Sequence, residues 1–321
     1  MDKKHRLDEP WRLCHGFLGD ENWPKPLRVA DCNDEARPGY NTCKAHEYQE
    51  EPDVLKAKVK MLAELVRRAK RCTAYTGAGI STASGIDDYA SKAKDSKALQ
   101  RPKVKNMKAA RPTLAHRVLV GMYRHDFLHH WINQNHDGLP QKAGFPQHAI
   151  NEIHGAWFDP SNPVVKMSGS LRKDLAEWLQ EEQKETDLCL AMGTSLCGMS
   201  ADCVVDTCAD KAIDIRLDER EDVRKTVLGA VIVSLQRTQM DNAASLRFFA
   251  TTDEVMRMLA EELAVDYDKT GDRVFRFPRP IGSVHWGKKC HVTGIMPITG
   301  KCYEATVGSE QVYSCSDAYG K

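Results

Sequence analysis

The chain has 321 residues, 41% of them hydrophobic and 28% charged, with a formal net charge of +1. That length suits one large or two modest domains with a real core, and the near-neutral balance marks neither a nucleic-acid binder nor a membrane-surface protein. No apolar run approaches the ~20 residues of a membrane span. The opening MDKKHRLDEPWRL lacks the apolar core of a signal peptide, so an intracellular, reducing location is expected. The eleven cysteines are then thiols. None belongs to a CxxC pair, the usual half of a structural zinc site.

Residues 1–52 are rich in Pro, Asp, Asn and Glu and show no clear period. Cys43 and His46 have metal-ligand spacing, with Cys14 and Cys32 upstream, but an irregular arm packed on the main domain is the simpler expectation. Asp53 opens a helix signal as its N-cap, followed by Val54, Leu55, Val59, Leu62, Leu65 and Val66 at helical spacing. Basic residues Arg67, Arg68, Lys70 and Arg71 complement the negative end of its dipole. CTAYT follows as a short buried strand and runs into glycines, with Ser81 or Thr82 placed to cap a next helix. Helix, strand, glycine loop and helix together describe an α/β nucleotide fold.

Residues 92–111 carry eight basic side chains against one acid, Asp95. They form either solvated surface or a contact for an anionic partner or cofactor phosphates. The segment from Arg111 to Leu139 then gives a helix, a strand and a polar loop. DLCLAMGTS and AVIVSLQ are further strands, each ending in small or polar residues, as ligand-facing strand ends do in open parallel sheets. TTDEVMRMLAEELAV is a closing amphipathic helix with Val255, Met258, Leu259 and Leu263 on one face.

In GAGISTASGIDDY, glycines 77 and 79 allow close approach of backbone to a phosphate. A lone GxG is weak, but the whole run resembles the nucleotide loop of the sirtuins, NAD-dependent protein deacylases. The resemblance continues in order through PTLAH (112–116), NQNHDGLPQKAG (133–144), EIHG (152–155), GTSL (193–196) and the run VIVSLQRTQMDNAASLRFFATTDEVM, which has the flavour of the nuclear class IV members. It covers about residues 55–265.

The resemblance implies that NAD is consumed as a co-substrate. His154 would be the general base on a ribose hydroxyl, and Asn135 and Asp137 would line the ribose and nicotinamide pocket, completing the catalytic set. Asp88, with Ile86, would bind the nicotinamide carboxamide. Gly77, Ala78, Gly79, Thr194 and Ser195 would cradle phosphate and ribose. Ser84, Gly85, Tyr89, Gln134, His136, Gly193, Ser234 and Leu235 complete the implied cofactor-binding set.

Four departures from the family pattern stand out. Asp87-Asp88-Tyr89-Ala90 replaces Pro-Asp-Phe-Arg, so a positive charge is lost and an acid gained; Lys92, Lys94 and Lys97 are candidates to replace that charge. The two CxxC pairs expected after EIHG are missing, which implies a shrunken, zinc-free small domain. The peptide-pairing edge after GTSL reads Cys197-Gly198-Met199-Ser200-Ala201, and its opposite edge has no clear counterpart. Ser234 stands where Asn is usual.

The tail resembles a ZZ-type zinc finger through Cys290, Gly294, Pro297, Ile298, Gly300, Tyr303, Cys315, Asp317 and Tyr319, but Thr293 and Ala318 occupy partner-cysteine positions. A metal-free segment that packs on the body or binds a partner is expected.

The expected architecture is an α/β fold, a Rossmann-like open parallel sheet with a reduced, zinc-free small domain and a separate C-terminal tail. Its divisions are an arm over 1–52, a catalytic domain over 53–265 and the tail over 280–321. The expected function is NAD-dependent protein-lysine deacylation with NAD and no zinc, an acyl-lysine protein as partner and a nuclear or cytoplasmic location. The alternatives are an NAD glycohydrolase or mono-ADP-ribosyltransferase on the same scaffold, and a catalytically weak NAD-binding adaptor.

Overall fold

The computed structural model describes residues 5–166, 169–216 and 228–267, together with the backbone of residues 290–295 and 302–307. The first 50 residues, though without sequence period, contain a short helix α1 (Trp11–His15) and an antiparallel hairpin of β1 (Leu27–Ala30) and β2 (Glu47–Gln49). Helix α2 (Pro52–Arg68) follows. Its N-cap is Glu51, Pro52 fills the first turn where a missing N–H costs nothing, and Asp53 lies one residue inside rather than at the cap.

The remaining elements are β3 (Cys72–Thr76), α3 (Leu114–Arg124), β4 (His130–Asn133), α4 (Leu139–Ala143), β5 (Ile150–Glu152), α5 (Lys173–Glu185), β6 (Leu188–Met192), α6 (Cys203–Arg216), β7 (Gly229–Val233), β8 (Leu246–Phe248) and α7 (Thr252–Leu263). Helix α3 starts with a capping box in which Thr113 and His116 satisfy each other's backbone N–H.

Six strands form one parallel sheet in the order β5-β4-β3-β6-β7-β8. Its central strands β3 and β6 are buried along their whole length because both faces are covered. Alternate residues split between the faces, as the two-residue period of a strand requires. Cys72, Ala74, Leu188, Leu190, Met192, Val231 and Val233 pack in the core that includes α2, α3 and α7. Tyr75, Cys189, Ala191, Ala230 and Ile232 face the other core, with Leu175, Trp178 and Leu179 of α5 and Val204, Val205 and Cys208 of α6. Strand order reverses between β3 and β6, since β4 and β5 lie on one side and β7 and β8 on the other. Such a switch point opens a crevice at the carboxyl ends of the two strands.

The arm is fastened to the far half of this sheet. The Tyr48 N–H donates to Leu235 O at 2.8 Å and the Glu50 N–H to Phe249 O at 2.9 Å. The buried Lys58 ammonium of α2 binds the buried Glu50 carboxylate, Cys14 O and Arg247 O together. Leu7, Cys14, Tyr48 and Phe249 add an apolar seam.

Two expectations change. The glycine loop does not open an α-helix: it continues as two 3₁₀ turns, 78–80 and 82–84, and Ser81 holds the N-cap position of the second without a side-chain capping bond. Helices α5 and α6 were not anticipated. In the tail, residues 290–295 (β9) pair antiparallel with 302–307 (β10). The finger-like residues Pro297, Ile298, Gly300, Cys315, Asp317, Ala318 and Tyr319 lie outside the described residues. Among the described residues, no helix is long and apolar enough to cross a membrane.

Candidate functional site

The loops after β3 and β6 interlock at the switch point. The Gly79 N–H donates to Gly193 O at 2.8 Å and the Gly77 N–H to Met192 O at 3.2 Å. A Cβ on Gly79 would sit 2.8 Å from the Gly193 Cα, and one on Gly193, whose φ is +60°, would sit 2.4 Å from the Ile80 nitrogen. Glycine is required here by close approach of two backbones, and at 193 also by the left-handed conformation. Leu196, three residues on, holds a left-handed φ of +47° without being glycine, the kind of strain that surrounding structure must over-determine.

The segment after β4 braces the first loop. Asn135 donates its amide to Gly77 O at 3.0 Å and to Ser81 Oγ at 3.2 Å. Ser81 in turn donates to Asp137 Oδ2 at 2.7 Å, and Asp137 Oδ1 accepts the Leu139 N–H at 2.9 Å. Gln134 donates to Thr194 Oγ1 at 3.0 Å, bridging to the second loop. Asp137 is 3% exposed, and burial raises its pKa against the bonds from Ser81 and Leu139.

These loops line a cleft of roughly 350 Å³, within the ~300–1,000 Å³ of small-molecule sites. Of the residues expected from sequence, Gly77, Ala78, Gly79, Asp88, Tyr89, Gln134, Asn135, His136, His154, Gly193, Thr194, Ser195, Ser234 and Leu235 line it together. Asp137, Ser84, Gly85 and Ile86 are not among the lining residues. Asp137 is buried and accepts the Ser81 hydroxyl. Ser84 hydroxyl donates to Arg111 O, a Cβ on Gly85 would strike Pro102 O, and Ile86 packs with Ala110 and Leu139. These three hold the loop to residues 102–111.

His154 follows β5 and is half-buried. Burial, the neighbouring His136 and Arg37 lower its pKa, against a backbone hydrogen bond with Gln134 that raises it. The imidazole is therefore neutral, as a proton acceptor must be. Gly155 (φ +83°) lets the chain turn where a Cβ would meet Pro163 O at 2.3 Å. The next residues close on themselves, with Ala156 N–H to Asn162 O at 2.8 Å and Val165 N–H to His154 O at 2.9 Å. Residues 155–165 contain no cysteine, and so do not fit a cysteine zinc site. Among the described residues, no group of three or more His, Cys, Asp or Glu is arranged to hold a metal. In the arm, His46 Nδ1 lies 3.1 Å from the Cys32 nitrogen and 2.8 Å from Asp31 Oδ1.

The two adjacent acids separate. Asp88 faces the cleft and accepts the Ala90 and Ser91 N–H groups and the Ser91 hydroxyl. Asp87 points outward and pairs with Lys103 at 2.6 Å, so residues 92–111 neutralise the extra charge. Of the lysines considered for the missing charge, Lys97 lines the cleft, whereas Lys92 donates to Glu35 O.

Sequence reasoning missed the contribution of the arm. Arg37, Tyr40 and Glu47 line the cleft, as do Arg101, Met199, Gln236 and Asp253. Arg37 and Tyr40 lie in an aperiodic segment, where no local pattern points to them. Gln236 could have been found two residues after the ribose-side Ser234: its amide donates to Ala90 O at 2.8 Å and Ala45 O at 3.4 Å, tying loop and arm to the end of β7.

The edge after β6 is internally satisfied. The Gly198 and Met199 N–H groups both donate to Asp202 Oδ2 at 2.9 Å, and Asp202 Oδ1 accepts the buried Tyr75 hydroxyl at 2.6 Å.

No family profile matches the chain. Among curated proteins it is similar to the NAD-dependent protein deacetylase sirtuin-7 of Rattus norvegicus, 27% identical over 280 residues covering 72% of this chain and 67% of the relative. It is also similar to the NAD-dependent protein deacetylase SRT1 of Arabidopsis thaliana, 26% identical over 264 residues, covering 68% of this chain and 51% of that one. Among solved structures, a Sir2–p53 peptide–NAD+ complex matches with a TM-score of 0.51 at 21% identity, covering 64% of this chain and 98% of the other. Sir2Tm bound to a propionylated peptide matches with a TM-score of 0.51 at 21% identity, covering 65% and 100%. Those two likenesses concern the fold. The ordered loops that line the cleft, and the relatives aligned over most of the chain, make it similar to the sirtuins (Sir2-type NAD-dependent protein deacetylases).

Proposed function

We propose that the protein is an NAD-dependent protein-lysine deacylase. The observation that carries this reading is the meeting of His154, Asn135 and both glycine loops on one cleft. Gly77, Gly79 and Gly193 line the cleft without side chains, which leaves room for an extended ligand to lie close against the backbone. NAD supplies an activated ribosyl bond whose leaving group is nicotinamide. An acyl-lysine oxygen attacks the ribose carbon as that bond breaks, and the neutral His154 takes a ribose hydroxyl proton. Water completes the transfer, giving free lysine and O-acyl-ADP-ribose. Most of the rate enhancement comes from position and electrostatics.

Asn135 acts as a brace as well as a cleft residue, since its amide is committed to Gly77 O and Ser81. Ser234 offers a hydroxyl to the ribose side of the cleft. The protein partner is an acyl-lysine substrate, and a nuclear site of action accords with the class IV flavour of the last strand and helix. Residues 92–111 remain a candidate contact for an anionic partner, and the tail a candidate for a protein partner.

The test is incubation with NAD and acyl-lysine peptides. O-acyl-ADP-ribose should form with the wild type and be lost in His154→Ala; its absence with every acyl chain tried would sink the reading. One observation favours a second reading. With the Gly198 and Met199 amides taken by Asp202, that edge has two fewer donors for an added peptide strand. NAD cleavage indifferent to acyl peptide would identify an NAD glycohydrolase instead.

A further inference from the structure

We propose that Arg37, from the amino-terminal arm, is the cation that holds the anionic dinucleotide in the cleft; this rests on the NAD reading above. Three cations line the cleft: Arg37, Lys97 and Arg101. Lys97 is engaged with the Gln49 side chain at 3.5 Å and acts on the buried Glu47. Arg101 has no ring or hydrogen-bonding partner that fixes it among the described residues. Arg37 is different because it is placed in advance and, although Asp202 feels its charge, forms no ion pair among the described residues.

Its guanidinium lies 4.2 Å from the Tyr40 ring centroid and 5.6 Å from that of Tyr89, and Nη1 is 3.3 Å from Cys197 Sγ. Its backbone is pinned on both sides by Thr42, whose hydroxyl accepts the Arg37 N–H at 3.1 Å and donates to Arg37 O at 3.2 Å. No carboxylate of the described residues forms an ion pair with it. One weak sulfur acceptor therefore leaves most of its five N–H donors uncommitted. Two aromatic faces stabilise a half-buried guanidinium without cancelling its charge.

A dinucleotide diphosphate carries two full negative charges, and the N–H groups of Gly77, Gly79 and Gly193 are already donated to Met192 O, Gly193 O and Val233 O, so a side-chain cation has to meet that charge. A planar guanidinium matches a phosphate's oxygens in two parallel bonds. Ala90, beside Tyr89, also lines the cleft and presents only a methyl group there. The charge thus enters from the arm, next to a loop position too small to supply one. Arg37 also helps lower the pKa of His154, after burial and His136, so its charge is felt at the proposed base.

The experiment measures ADP-ribose binding by calorimetry, and the KM for NAD and for acyl peptide separately, in wild type, Arg37→Met, Arg101→Met and the double variant Arg37→Met/Ala90→Arg. Methionine keeps the stem that packs on the two rings, and circular dichroism with the melting temperature establishes that each variant is folded. The expected result is about a tenfold loss of ADP-ribose affinity and a matching rise in the NAD KM for Arg37→Met. The peptide KM should stay near wild type, the salt dependence of binding should be shallower, and affinity should largely return in the double variant. A merely structural role for Arg37 would not be rescued by moving the charge to residue 90. Unchanged ADP-ribose affinity in Arg37→Met, or a loss confined to the peptide KM or to Arg101→Met, would overturn the proposal and leave the NAD reading standing. Failure of the wild type to bind ADP-ribose at all would remove the NAD reading itself.

Discussion

The Ser81 hydroxyl donates to the Asp137 carboxylate at 2.7 Å, and that bond, with the Asn135 amide on Gly77 O and Ser81, fixes the first glycine loop to the segment after β4. Asp137 has no water to replace a lost partner, being 3% exposed. Asp137→Ala strands both the Ser81 hydroxyl and the Leu139 N–H, at a cost of roughly 2–4 kcal/mol. Asp137→Asn retains an acceptor for one of them and costs less. Thermal unfolding ranks the two, and nicotinamide release falls in the same order. Equal melting temperatures for Asp137→Ala and wild type would contradict the role assigned to this carboxylate.

Gly193→Ala meets two obstacles at once: a left-handed φ of +60° and a backbone nitrogen 2.4 Å from the new Cβ. Neither the Ile80 backbone nor the loop can yield without parting the two glycine turns. A loss of roughly 2–4 kcal/mol is expected, with NAD affinity falling further because the cleft floor shifts. Urea unfolding together with ADP-ribose calorimetry checks both halves of the claim.

The pH profile reports on His154. Burial, then His136 and Arg37, hold its pKa below the ordinary histidine value, while the bond with Gln134 opposes them. A base with a lowered pKa stays neutral to more acidic pH. The acid limb of kcat/KM for NAD is therefore expected below the unperturbed value of about 6.5. Removing the Arg37 charge moves that limb upward. A limb at or above the unperturbed value in the wild type would show that His154 is not the base, or not so placed.

Glu152, two residues before His154, is fully buried at the end of β5, where its Oε1 has no hydrogen-bonding partner. Burial, with Asp159 adding to it, pushes its pKa up to about 7 against the hydrogen bonds from Gln141 and Gln147. The folded state thus binds a proton that the unfolded chain releases from about 4.5 upward. Stability should fall as pH rises from about 4.5 to about 7 and then level off, by on the order of 3 kcal/mol. Glu152→Gln should remove this slope and melt higher than wild type at pH 8, but not at pH 4. Parallel melting curves for the two proteins across pH 4–8 would refute it.

Much of this fold is legible in the sequence because β3, β6 and β7 are covered on both faces: β6 and β7 read as unbroken apolar runs, and β3 as a short buried strand leading into glycines. Helices α2 and α7 bury one face and read as periodic stripes. Strands β5 and β8 are three residues each, too short to carry a period. Helix α5 hides its stripe behind an acid: Glu182 is buried yet charged. Burial pushes its pKa up, but His130 and Arg71 outweigh that and hold it down at about 2. The cleft residues that follow strands were readable from their motifs. Arg37 and Tyr40 were not, since an aperiodic arm reaches the cleft only through contacts far apart in sequence. The expected role of Ser81 as a helix cap failed because its hydroxyl is drawn to Asp137 instead.

The fastening of the arm across β7 and β8 also sets an order of events in synthesis. Tyr48 and Glu50 emerge from the ribosome well before Leu235 and Phe249, the residues whose carbonyls they need. At ribosomal speeds of roughly 5–20 residues per second, the arm waits on the order of ten seconds or longer without its dock. The cleft wall that Arg37 and Tyr40 provide is therefore assembled late, after the sheet it leans on, and a nascent chain has its glycine turns before it has its closed site.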